Sequence, residues 1–168
     1  MAVQPISLGP QMQAASIATF QGYEDATETW GKGSVLIEGT ATLAQASADP
    51  VSGIVGISAD RSTGTTNALA AYYPALEGVV FEGNLSTGGA NPPTAYALTQ
   101  GDFLTRYALQ IDTSQTDAQG YTITGVWYID QADTTNVSVT IIGFRDAIGV
   151  NDARVYFVIN ADTTVYAT

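Results

Sequence analysis

VSVTIIGFRDAIGVNDARVYFVINAD, residues 137–162, is the stretch whose reading decides the fold. Val137, Val139 and Ile141 alternate with Ser138 and Thr140, and Ile142 and Phe144 follow across Gly143. After the turn-rich segment Asp146–Asp152, Val155, Phe157 and Ile159 alternate with Tyr156 and Val158. A period of two in β-branched and aromatic residues marks half-buried strands, and a Gly/Asn/Asp cluster between two such runs marks a hairpin. Upstream, residues 121–130 (YTITGVWYID) read as a third strand of the same kind. Three strands sharing an apolar face are about the minimum for an independently stable sheet. None of these residues carries catalytic chemistry, so the stretch is scaffold.

Outward from it, the same signals recur. ATFQGY (18–23) predicts a strand, EDATET a solvated acidic turn, and Gly31-Lys32-Gly33 a turn before SVLIEGTATLAQA. Asp49-Pro50 marks the next turn, then VSGIVGISAD supplies Val51, Ile54, Val55 and Ile57. Residues 61–67 form a polar loop. Asn67–Ala75 fits either a strand or a helical turn stopped at Pro74, and this is where helix is expected, a turn or two at most. Gly78–Leu85 is a short strong strand, and TQGDFLTRYALQID (99–112) is a turn followed by a strand carrying Phe103, Tyr107 and Leu109. Turn signals every 8–12 residues or so, with no sustained helical period, predict an all-β chain folded as a compact barrel or sandwich.

Two features bear on domain organisation. Residues 1–20, interrupted by Pro5, Gly9 and Pro10, read as an extended N-terminal arm or a frayed end ahead of a body over 21–168. On the arm reading, Ile6, Leu8, Met12 and Ile17 are the candidate partner-binding residues. Ser86–Pro93 (STGGANPP) forbids regular pairing. It is either a long loop on one body or a divide between lobes of about 21–85 and 95–168.

Composition excludes more than it selects. Sixteen acids face Lys32, Arg61, Arg106, Arg145 and Arg154, a net charge of −11. Nucleic acid is not an expected partner, because neutralising phosphates takes clustered Lys and Arg. The anionic surface of a membrane is likewise repelled. Acidity serves solubility, and a basic protein partner stays open. The chain has no cysteine and no histidine, which removes thiolate or imidazole zinc sites, Ser-His and Cys-His pairs and any histidine base. The first residues lack the basic and continuous apolar regions of a secretory signal, and no run approaches the roughly 20 apolar residues of a spanning helix, so a soluble protein made in the cytosol is expected.

The remaining candidates weigh toward structure. Glu77 and Glu82 are oddly spaced along one strand and so point to opposite faces. Asp112, Ser114 and Asp117 make an oxygen-rich loop, but without the sixth-position glycine and final glutamate of a calcium loop. An Asx turn accounts for it. STGG has no Gly-Lys-Ser/Thr and no following helix, so it is not a phosphate loop. Nine tyrosines and two tryptophans could form a sugar-stacking platform, yet Tyr72, Tyr73, Tyr121, Tyr128, Tyr156 and Tyr166 sit mostly where strand packing explains them. No catalytic residue, metal or cofactor is expected, and the chain does not read as an enzyme.

PALEGVVFEGNL (74–85), GDFLTRYALQID (101–112) and residues 137–159 resemble the capsid cement or decoration proteins of tailed bacteriophages. In that group a Val-Phe-Glu-Gly-Asn-Leu strand is followed by a Gly-Asp turn. A late Val-x-Gly-Phe-x-Asp then introduces a terminal Arg-Val-x-Phe-Val strand. Here these are Val80–Leu85, Gly101–Asp102, Ile142–Asp146 and Arg154–Val158, and VSGIVGIS (51–58) is similar to a barrel-forming strand of the group. The likeness spans about 30–168, and residues 1–29 match none of it. It brings no catalytic residues. It implies a virion structural protein, made in the host cytoplasm, that sits on the capsid exterior as a homotrimer. There it would bind the major capsid protein and bridge neighbouring subunits against internal pressure. The alternative is a carbohydrate-binding or adhesive β-sandwich of a tail or surface appendage.

Overall fold

The computed structural model describes residues 4–5, 18–25, 28–88, 92–112 and 126–166. Eleven strands run in chain order: β1 Gln4–Pro5, β2 Phe20–Tyr23, β3 Val35–Glu38, β4 Leu43–Gln45, β5 Ile54–Ser58, β6 Leu69–Pro74, β7 Phe81–Ser86, β8 Arg106–Asp112, β9 Val126–Asp130, β10 Val139–Phe144 and β11 Arg154–Ile159. The only helix among the described residues is two single 3-10 turns, Gln100–Asp102 and Ala161–Thr163. The chain is all-β.

The strands divide into two sheets. The N-terminal one runs β2-β6-β5-β3-β4, and its outer strands meet through a parallel bridge between Glu24 and Leu43. The other runs β1-β7-β11-β10-β8-β9 and closes into a small barrel where β9 also pairs in parallel with the end of β7, Leu85 opposite Ile129. Membership changes between Pro74 and Phe81, ahead of Ser86–Pro93, so Phe81–Ser86 belongs with the C-terminal strands. One core joins both sheets: Val35, Ile54 and Ile57 pack with Phe81, Trp127, Ile141 and Phe157. A second cluster, Trp30, Leu36, Leu43, Val55, Ala70 and Tyr72, is built from the N-terminal half, with Val165 and Tyr166 of the C-terminal segment packed against it. Neighbours Val35 and Leu36 thus enter different cores, as alternation across a strand requires. β5 is buried at every position, which is why VSGIVGIS reads as a nearly continuous apolar run. Gly56 of that strand is obligatory, since a Cβ there would overlap the Tyr73 carbonyl.

The decisive hairpin forms as expected, β10 antiparallel to β11 with Ile141 opposite Phe157. Alternation breaks at Ile142 because the register slips between Ile141 and Gly143, a β-bulge that adds one residue to β10. Phe81 and Phe157 stack at 5.8 Å across the β7–β11 pair. The C-terminal segment then crosses back to the N-terminal sheet. Val165 N–H donates to the Ile54 carbonyl, and the hydroxyls of Tyr72 and Tyr166 lie 3.3 Å apart.

Several expectations are corrected. Asn67–Ala75 holds no helix. Leu69–Pro74 is β6, alternating exposed and buried, and Pro74 is tolerated because it ends the strand. The EDATET segment is not simply solvated, since Glu24 is fully buried. The arm is not wholly irregular: Gln4 and Pro5 pair with Glu82 and Phe81 at the edge of β7, the kind of position where a proline costs no ladder bond. Phe103 lies in a turn, and the strand after it starts at Arg106. Of the strand expected over 121–130, the described residues show Val126–Asp130.

Candidate interaction surface

Two segments stitched together carry an unusual surface. Tyr96–Thr105 leads into β8, and Asp146–Asp152 joins β10 to β11. Leu98 N–H donates to the Val150 carbonyl at 3.0 Å, Gly149 N–H to Leu98 at 2.8 Å, and Asp152 N–H to Tyr96 at 2.9 Å. Leu104 N–H reaches the Ile141 carbonyl at 2.8 Å, on the other side of the bulge.

Asp102 organises the turn. It is 1 % exposed, and no cation accompanies it in any ion pair of the described residues. Its carboxylate instead accepts from the Tyr107 hydroxyl at 2.6 Å, the Tyr96 hydroxyl at 3.2 Å, and Thr99 through N–H and Oγ1 at 2.8 and 2.9 Å. A buried carboxylate is tolerable on such terms, because each donor replaces a hydration bond lost on folding. Burial, and then the adjacent carboxylate, push the Tyr107 phenol well above its ordinary value, so it remains a donor. Thr99 and Asp102 form a reciprocal capping box around the 3-10 turn.

Beyond that anchor the chain exposes apolar side chains. Phe103 is 43 % exposed, Leu104 64 %, Ile148 55 % and Val150 42 %. Phe103 meets Phe144, the last residue of β10, edge-on at 6.1 Å. Leu104 has φ 59°, the left-handed region. Among the described non-glycine residues with positive φ it is the only large apolar one, the others being Ala41, Asp49, Asn67 and Asp152. That conformation costs an L-residue about 1–2 kcal/mol and is normally left to Gly, Asn or Asp. Strain of this kind persists only where the surroundings impose it, and it gathers at sites of function.

The expected sites fall elsewhere. Ile6, Leu8, Met12 and Ile17 lie outside the described residues, as do Ser114, Asp117 and Tyr121. Asp112 is buried at the end of β8. Glu82 sits between Arg145 and Arg154, and Arg154 also approaches Asp146. Both tryptophans, with Tyr72, Tyr107 and Tyr128, are buried, in line with the packing reading of the aromatics. Asp49, Asp130 and Asp133 share a flank of β8 and β9, where Gln110 holds Asp49 at 3.1 Å. Burial, then Asp133 and Asp130, push the Asp49 carboxyl above its usual range. No group of three or more acids among the described residues is placed to hold a metal ion. No helix among them is long and apolar enough to cross a membrane.

Sequence reasoning placed Asp102 in a Gly-Asp turn but missed its burial and organising role, and it missed Leu104. The spacing Thr99-x-x-Asp102 was a usable signal for the first. Nothing local signals the second, because its N–H is held by the Ile141 carbonyl, distant in sequence. The chain matches no protein-family model, no curated protein and no solved structure.

Proposed function

We propose that this chain is a virion structural protein, a capsid cement that binds the outer surface of a major capsid shell and bridges neighbouring subunits. The observation that carries the reading is Leu104, exposed on a strained backbone and held there by the buried Asp102 turn. An apolar knob fixed before binding loses little entropy on docking, so more of its burial appears as affinity. The partner it fits offers an apolar socket with a basic rim, complementary to a chain of net charge −11. The resemblance supplies the capsid context, the exterior location and the homotrimer. Three knobs on one trimer would act at high effective concentration, which turns weak single contacts into tight decoration. The N-terminal arm, with Ile6, Leu8, Met12 and Ile17, adds a second contact on this reading.

An adhesive module that stacks sugars on exposed indoles is not favoured, because both tryptophans are buried. The test mixes the purified protein with undecorated shells of the virus that encodes it. Co-sedimentation at fixed stoichiometry, shells that melt at higher temperature and light scattering at three chain masses are the expected results. Shells that sediment without the protein overturn the reading.

A further inference from the structure

A groove of about 800 Å³, whose lining does not include Phe103, Leu104, Ile148 or Val150, lies between the turn that links the two sheets and the segment after β11. Arg106 of β8, Thr140 of β10, Asn160 and Asp162 line it on one side, and Glu77 on the other, with the Tyr166 ring at its apolar wall. Its polar groups hold one another in place. Arg106 Nη2 donates to both Asp162 oxygens at 2.8 Å. With the Asn160 amide turned so that its NH₂ faces Thr140 Oγ1, its carbonyl accepts from Arg106 Nη2 and Nε, both at 3.1 Å. The Asn160 backbone is pinned through its N–H to Ser138 and its carbonyl to Thr163 Oγ1. Tyr166 is fixed by its hydroxyl contact with Tyr72.

The groups left open to a ligand are specific. The Arg106 guanidinium keeps the Nη1 donors, which no hydrogen bond of the described residues uses, and Asp162, mostly exposed, keeps lone pairs beyond its contact with Arg106. A fixed donor beside a fixed acceptor matches a hydroxyl pair, each member of which both donates and accepts. Ala75, Val158, Ile159 and Tyr166 supply apolar surface for the C–H face of a ring. Asp162 and Glu77, on a strongly acidic chain, disfavour phosphate, sulfate and uronate groups. A polar ligand with spaced hydroxyls and no charge remains.

We propose that this groove is a binding site for a neutral sugar, held at a vicinal diol by Arg106 and Asp162 and packed against Tyr166. Neither the capsid reading nor the apolar patch is needed for it. The experiment titrates the isotope-labelled full chain with neutral mono- and disaccharides and with matching sugar phosphates, following backbone amides by NMR. Expected are saturable shifts at Thr140, Asn160, Ala161 and Asp162 with at least one neutral sugar, and none with its phosphate. Asp162→Ala, which deletes a charge-assisted hydrogen bond, should bind about tenfold more weakly. Thr140→Val, which frees the Asn160 amide, should weaken binding less, while the rest of each spectrum reports an intact fold. Shell binding by both variants should match wild type. No saturable shift at the groove with any neutral sugar, equal binding of the phosphates, or Asp162→Ala binding as well as wild type would each overturn the proposal.

Discussion

The two sheets of this protein use the same device to different ends. Each buries a carboxylate that is in no ion pair of the described residues: Glu24 in the N-terminal sheet and Asp102 beside the C-terminal barrel. Glu24 accepts from the backbone N–H of Thr63 at 2.9 Å, that of Gly64 at 3.1 Å and the Thr63 hydroxyl at 3.0 Å. It also sits at the bridge to Leu43, where the outer strands of its sheet meet. Its work is internal, because it ties a loop to a closing edge. Asp102 takes most of its bonds from hydroxyls, those of Tyr96, Tyr107 and Thr99, and the turn it fixes ends in an exposed, strained leucine. An identical chemical group closes one sheet and presents a surface on the other. The difference lies in the neighbouring residues: Asp25 comes after Glu24, but Phe103 and Leu104 come after Asp102.

Deleting both carboxylates tests whether they are comparable at all. Asp102→Ala strands the buried Tyr107 hydroxyl and the partly buried donors of Tyr96 and Thr99, Glu24→Ala strands the partly buried donors of Thr63 and Gly64, and each should destabilise by about 2–3 kcal/mol in denaturant unfolding. A variant with unchanged stability would show that its carboxylate is not an organising group.

Amide substitutions separate the two. Hydroxyl rotors can turn to accept, whereas a backbone N–H can only donate. In Asp102→Asn, the new oxygen can keep the Thr99 N–H while the Tyr96 and Tyr107 hydroxyls rotate to accept from the NH₂. In Glu24→Gln the remaining oxygen can keep Gly64 N–H and the Thr63 hydroxyl, which reach one Glu24 oxygen, but the new NH₂ then faces the Thr63 N–H, which cannot turn to accept, so the substitution should cost about 1 kcal/mol more than Asp102→Asn in the same unfolding measurement. Equal losses would mean that the nature of the donors is irrelevant and the comparison fails.

A smaller effect marks the contact between the sheets. Asp49 N–H donates to the Leu109 carbonyl, which places its carboxyl beside Asp130 and Asp133. A folded-state value raised above the unfolded one means that ionisation opposes folding. The favourable contribution is complete below the ordinary value of 3.8 and is lost as pH rises through the folded value. Asp49→Asn keeps the acceptor for Gln110 and suits φ 54°, so it should melt above wild type at neutral pH. That advantage should shrink to nothing in acid. A constant difference across pH would remove the electrostatic explanation.

Legibility tracked range along the chain. The β10–β11 hairpin was readable because its partners are close in sequence and alternate strictly, and even its bulge left a trace at Ile142. β6 was ambiguous because LAAYYP mixes small and aromatic residues that suit a strand or a turn of helix. The parallel closure of β7 on β9 was not readable, since it pairs Leu85 with Ile129 across most of the C-terminal half. Glu24 looked solvated for the same reason: its donors lie 39 and 40 residues away. At the patch, the Thr99–Asp102 spacing was visible in the sequence. The angle of Leu104 was not, because the Ile141 carbonyl and the Asp102 turn set it together.

Leu104→Asn tests the central claim most directly. Asparagine accepts the left-handed angle more readily than leucine and removes the knob, so the fold should lose nothing and gain up to about 1 kcal/mol. The measurement is co-sedimentation of wild type and Leu104→Asn with the same undecorated shells, alongside thermal melts of both free proteins. Since burying a leucine side chain contributes about 1.5–3 kcal/mol, a folded variant that is equally or more stable and binds shells at least about tenfold more weakly is the predicted result. Undiminished shell binding by a stable Leu104→Asn would contradict it.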